Sequence, residues 1–85
     1  MAKIEIYTTQ TCPFCTAAKT LLREKNAAFS EINVGTDRAL RDAMMARAND
    51  KHTVPQIFIN DRHIGGCDDL YALDAQNKLD DLLIS

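Results

Sequence analysis

The chain has 85 residues, 46% of them hydrophobic, with 10 Lys or Arg against 12 Asp or Glu and a formal net charge of −2. That length supports one modest hydrophobic core, and so a single domain over residues 1–85. The near-balance of charge leaves no footprint for nucleic acid or an acidic membrane surface, and no apolar stretch approaches the roughly 20 residues that span a bilayer.

In chain order, Lys3-Ile4-Glu5-Ile6-Tyr7-Thr8 alternates polar and apolar residues with the period of a strand. Ala17, Ala18, Leu21, Leu22 and Lys25 follow with helical spacing, and Cys12-Pro13-Phe14-Cys15 lies at the junction. Thr11 is expected to cap this helix through its hydroxyl, and Pro13 suits the first turn, where its missing N–H has no partner to lose. Phe29-Ser30-Glu31-Ile32-Asn33-Val34 alternates again and predicts a second strand, which the intervening helix makes parallel to the first. Gly35-Thr36-Asp37 reads as a turn and cap, and Ala39, Leu40, Ala43, Met44 and Arg47 continue as an amphipathic helix ending near Asn49-Asp50. Gln56-Ile57-Phe58-Ile59 predicts a central strand, joined by a tight Asn60-Asp61 turn to a short partner around Arg62-His63-Ile64. Leu70, Leu73, Leu79, Leu82 and Leu83 supply a closing helix or two, interrupted near Gln76-Asn77. The resulting order is βαβαββα.

Two thiols one helical turn apart, set where a strand hands over to a helix, have a definite chemistry. Only a thiolate attacks a disulfide, and the free N–H groups and partial positive charge of a helix start favour that anion. Cys12 is therefore the expected nucleophile. Cys15, three residues on along the same helix, can reach back to attack a mixed disulfide on Cys12 and is the expected resolving thiol. Three cysteines, an odd and sparse set, do not make a secreted disulfide framework, and the amino terminus lacks the basic-then-apolar layout of a signal peptide. The expected setting is a reducing cytoplasm. CxxC after the first strand of this element order is the thioredoxin-like redox pattern, an α/β fold with a four-stranded mixed sheet flanked by helices.

On Cys12-Pro13-Phe14-Cys15, Thr53-Val54-Pro55-Gln56-Ile57-Phe58-Ile59 and Gly65-Gly66-Cys67-Asp68-Asp69-Leu70, in that order and spacing, the chain resembles the glutaredoxins of the short bacterial dithiol type. The resemblance implies a monomeric thiol-disulfide oxidoreductase that takes electrons from glutathione as co-substrate and needs no bound cofactor or metal. Its partners would be disulfide-containing or glutathionylated proteins. It further implies a cis Val54–Pro55 bond, with Thr53, Val54 and Pro55 forming a glutathione-binding edge beside the thiols and the Val54 backbone pairing with the cysteinyl unit of glutathione. Phe14 would supply an aromatic wall. The helix start at Cys67-Asp68 would take the γ-glutamyl carboxylate through backbone N–H groups, and Asp68 would take the ammonium. Arg41 matches the basic position for the glycine carboxylate, with Lys51 or His52 as alternatives. The chain departs from similar proteins at Phe14, where they carry tyrosine, and at Thr8, Thr9 and Gln10, where they carry a lysine that stabilises thiolate and carboxylate.

Other readings accompany this one. Cys12, Cys15, His63 and Cys67 offer four N/S ligands to tetrahedral zinc, and an iron–sulfur cluster shared between two protomers is known among similar proteins. A module that binds glutathionylated proteins without turnover is a third. Taken singly, Cys67 reads as a small buried residue contributing its backbone, Asp68 as a helix cap, and His52 and His63 as residues without a special role.

Overall fold

The computed structural model describes residues 2–84. Its elements are β1 (Ile4–Thr8), α1 (Pro13–Glu24), β2 (Ser30–Asn33), α2 (Arg38–Arg47), β3 (Gln56–Ile59), β4 (Arg62–Gly65), α3 (Cys67–Ala75) and α4 (Leu79–Leu83). The four strands form one mixed sheet in the order β2-β1-β3-β4, parallel between β1 and β2 and antiparallel elsewhere.

Alternation along the two central strands divides the interior into two cores. Ile4 and Ile6 of β1 and Ile57 and Ile59 of β3 point to one face, where they pack with Ala18, Leu21 and Leu22 of α1, Cys67 and Leu70 of α3, and Leu79 and Leu83 of α4. Tyr7 and Phe58 point to the other face and pack with Val34 and with Met44 and Ala48 of the α2 region. Both faces of β1 and β3 are thus covered, which explains why all four residues of β3 are buried.

Chain reversals fall at residues that tolerate positive φ. Asn60 and Asp61 sit at φ 52° and 66° and close the β3–β4 hairpin, as two-residue hairpin turns require. Asn49 and Asp50, at 55° and 66°, follow the end of α2, and Asn77, at 58°, separates α3 from α4. The second strand is shorter than its alternation predicts. Phe29 packs beside the first core, while Val34 lies past the strand with its N–H still bonded to the Thr8 carbonyl at 2.9 Å.

Arg47 fastens the α2 face. Its guanidinium reaches the two carboxylate oxygens of Glu5 at 3.0 and 3.3 Å, donates to the Tyr7 hydroxyl at 2.8 Å and lies 4.0 Å from the Phe58 ring centroid. Across the molecule Lys25, at the end of α1, pairs with Asp74 at 2.7 Å and Asp80 at 3.0 Å, tying α1 to α3 and α4.

Candidate active site

Cys12 is the N-cap of α1, in an extended conformation with Pro13 as the first helical residue. The expected hydroxyl cap from Thr11 does not form. Pro13 starts the helix one residue later than a Thr11 cap would need, and the Cys12 sulfur itself receives the Cys15 N–H at 3.1 Å. A sulfur thus stands where a serine or aspartate oxygen usually caps, and the first turn of α1 carries no acidic residue to oppose an anion there. Cys12 and Cys15 are joined as a disulfide, with their Cα atoms 5.1 Å apart. The two differ in access: Cys12 is partly exposed, whereas Cys15 is 1% exposed.

Facing this helix start is the Thr53–Pro55 loop, with a cis Val54–Pro55 bond and the Val54 carbonyl oxygen 3.8 Å from the Cys12 sulfur. Alongside lies a cleft of about 320 Å³. Phe14 and Lys51 line it, as do Thr53, Val54, Pro55 and Gln56 from the loop and Gly66, Cys67, Asp68 and Asp69 from the start of α3. Phe14 is 64% exposed and contributes a side chain free to contact a ligand.

The start of α3 is built by two glycines and a carboxylate. Gly65 adopts φ 122°, and a Cβ there would collide with the Asp69 carboxylate. Asp69 needs that space because its carboxylate folds back to accept the Gly66 N–H at 2.9 Å. Asp68, one residue earlier, stays exposed on the cleft. Cys67 is buried, and burial, with the neighbouring charge of Asp68, pushes its thiol pKa up. It is a protonated filler at the foot of the cleft rather than a second nucleophile.

Eight of the nine residues singled out from the sequence meet in this region: Cys12, Phe14, Cys15, Thr53, Val54, Pro55, Cys67 and Asp68. Arg41 reaches it only indirectly. It lines a separate hollow with Val34, Asp37 and Met45, and its guanidinium donates to the His52 carbonyl at 2.8 Å. Lys51 is the cation that lines the cleft. The zinc arrangement is not assembled, because His63 Nε2 is engaged with Gln56 at 2.7 Å and its ring stacks on Phe58. Among the described residues no group of three or more His, Cys, Asp or Glu is placed to hold a metal ion.

Sequence reasoning missed Asp69 and Gln56 as parts of the site. An acidic residue three positions after a helix start carries a recognisable capping signature, so Asp69 was findable. Gln56 was read only as a strand residue, and nothing local marks its partnership across the hairpin.

The glutaredoxin family model matches residues 4–64. A probable glutaredoxin of Synechocystis sp. is 60% identical over 84 residues, covering 99% of this chain and 96% of the relative, and glutaredoxin 3 of Escherichia coli K12 is 54% identical over 83 residues, covering 98% and 99%. Among solved structures, the glutaredoxin of Brucella melitensis superimposes with a TM-score of 0.85 at 49% identity, covering 98% of this chain and 89% of the other. A buckwheat glutaredoxin–glutathione complex superimposes with a TM-score of 0.88 at 26% identity, covering 98% and 77%.

Proposed function

The chain belongs to the glutaredoxin family, and from that premise we propose how its own residues divide the work of a glutathione-dependent thiol-disulfide oxidoreductase. The enzyme reduces protein disulfides and protein–glutathione mixed disulfides, with glutathione as co-substrate and no bound cofactor. The observation that carries the assignment is the sulfur of Cys12 at the N-cap of α1, receiving the Cys15 N–H and lying beside the Val54 carbonyl.

Cys12, as thiolate, attacks the glutathione sulfur of a mixed disulfide. The substrate's S–S bond breaks, the protein thiolate leaves and takes up a proton, and a Cys12–glutathione disulfide remains. A second glutathione thiolate attacks the glutathione sulfur of that intermediate, releasing oxidised glutathione and the Cys12 thiolate. With a protein disulfide, Cys12 displaces one sulfur and Cys15 then attacks Cys12, freeing the second and closing the Cys12–Cys15 bond. Two glutathiones restore the dithiol. Attack on Cys12 by an external thiol is favoured by its exposure, and the burial of Cys15 reserves that sulfur for the intramolecular step.

Glutathione lies in the cleft as an extended peptide along Thr53-Val54-Pro55, its cysteinyl sulfur toward Cys12 and its backbone toward Val54. Its γ-glutamyl carboxylate meets the N–H groups at the start of α3 and its ammonium meets Asp68. Lys51 takes the glycine carboxylate, and Arg41 supports that wall by holding the His52 carbonyl. Phe14 covers the sulfur side. The protein acts as a monomer and a single domain in a reducing cytoplasm; among the described residues no helix is long and apolar enough to cross a membrane.

The test is glutathione-dependent reduction of a small glutathione mixed disulfide by the wild type, Cys12→Ser and Cys15→Ser. Activity in the wild type and Cys15→Ser but not in Cys12→Ser supports the assignment. Loss in Cys15→Ser with retention in Cys12→Ser reverses the two roles.

A further inference from the structure

The loop from Lys51 to Pro55 has no regular secondary structure, yet it forms one wall of the cleft. Two adjacent carbonyls in it are held by side chains from outside: Arg41 donates to the His52 carbonyl at 2.8 Å, and Gln56 Nε2 donates to the Thr53 carbonyl at 3.0 Å. Gln56 is 1% exposed, so the orientation of its carboxamide is set by its partners. Because its Nε2 faces a carbonyl, which only accepts, its Oε1 must be the atom that faces His63 Nε2 at 2.7 Å. That nitrogen therefore carries the proton. The His63 Nδ1 lone pair is left to face Asn49 Nδ2 at 3.4 Å. Donation runs one way along the whole chain, from Asn49 to His63 to Gln56 to Thr53.

We propose that His63 is a positioning residue for the glutathione cleft, fixing the Gln56 carboxamide so that it clamps the Thr53 carbonyl and holds the Thr53–Pro55 wall at its distance from the Cys12 sulfur. The inference rests on the placement of glutathione in this cleft. Gln56 and Thr53 flank the Val54–Pro55 bond, so one buried side chain ties the loop on both sides of the residue whose carbonyl lies 3.8 Å from the nucleophile. Without His63 the Gln56 oxygen is a buried acceptor with no partner, and the carboxamide gains by turning away from Thr53. Burial of the ring lowers the His63 pKa, with the positive charge of Lys51 adding to the effect and Asp69 opposing it, which keeps the neutral, singly protonated ring that the relay requires.

The test compares His63→Phe, which keeps a ring against Phe58 but removes the donor, with His63→Gln, whose Nε2 can occupy the imidazole Nε2 position. Asp68→Asn serves as an independent probe of the cleft. Two readouts are taken: KM and kcat for a glutathione mixed disulfide, and backbone amide hydrogen exchange of the free protein. The expected result is a KM raised about threefold to tenfold in His63→Phe with kcat little changed, the cost of one broken buried hydrogen bond, and recovery in His63→Gln. Exchange at residues 52–54, in the loop, should quicken in His63→Phe while β1 and β3 keep wild-type protection. A raised KM in Asp68→Asn with an unchanged KM in His63→Phe overturns the positioning role and leaves the cleft assignment standing. Unchanged KM in both overturns the cleft assignment and the inference with it. Exchange that quickens evenly over the whole protein assigns His63 to general stability and also overturns the proposal.

Discussion

Two helix starts border the same cleft, and they are capped in opposite ways. α1 begins at a cysteine whose sulfur receives the Cys15 N–H, with no carboxylate in its first turn. α3 begins at Gly66, whose N–H is taken by the carboxylate of Asp69, and its first turn holds both Asp68 and Asp69. The first arrangement leaves the positive end of a helix to a reactive sulfur. The second uses one carboxylate internally, at Asp69, and leaves Asp68 exposed on the cleft beside the helix start. In the proposed mechanism one helix end is a reagent and the other a receptor. What separates them is where the acidic side chains are placed.

Removing the reagent should give the largest effect. Cys12→Ser should abolish turnover of a glutathione mixed disulfide in a coupled assay while leaving the thermal midpoint of the reduced protein at or above wild type, because serine is a favoured N-cap. A midpoint that falls with activity would mean that the sulfur is needed to build the helix start. On the receptor side, Gly65→Ala should destabilise by about 2–3 kcal/mol in denaturant unfolding, since the substitution combines a positive φ with a clash against Asp69. Asp68→Asn should leave stability near wild type and raise KM for the mixed disulfide about threefold to tenfold, as loss of one partly solvated charge-assisted contact predicts.

The smallest effect concerns pH. His63 has a folded pKa below its ordinary 6.5, chiefly through burial, so between the two values the unfolded chain binds more protons than the folded one. Its contribution to stability is present in full above 6.5 and declines as pH falls through that window. Unfolding midpoints measured from about pH 7.5 to 5.5 should show this slope in the wild type and lose it in His63→Gln. Glu31, held ionised by Thr8 and Lys19, contributes in a lower window, below its ordinary 4.5.

Much of the fold is legible in the sequence because its signals are local. The Ile4/Ile6 alternation, the Asn60-Asp61 turn and the break at Gln76-Asn77 each depend on residues within a few positions of one another. The CxxC at a strand-to-helix junction and the glycine pair before α3 are local in the same way. The rest needs contacts between distant segments. Thr11 looked like the cap because oxygen caps are the common ones, but the start of α1 at Pro13 gives that place to the Cys12 sulfur. Arg41 was expected at the cleft from the resemblance alone, and its guanidinium is instead spent on the His52 carbonyl. His63 stands out in the sequence only as a zinc-ligand candidate, because its partnership with Gln56 spans a hairpin whose register shifts between Ile57 and Phe58.

The Cys12–Cys15 link spans a sequence separation of 3. In chain-entropy terms a ring this short removes little freedom from the unfolded polypeptide, on the order of 2 kcal/mol, well short of what a loop of about 100 residues would remove. Neither core relies on it, since one is closed by the leucines of α1, α3 and α4 and the other by Tyr7, Met44 and Phe58. The bond works as a reversible carrier of two electrons rather than as a staple, and the molecule can open and close it every cycle on a scaffold that stays folded throughout.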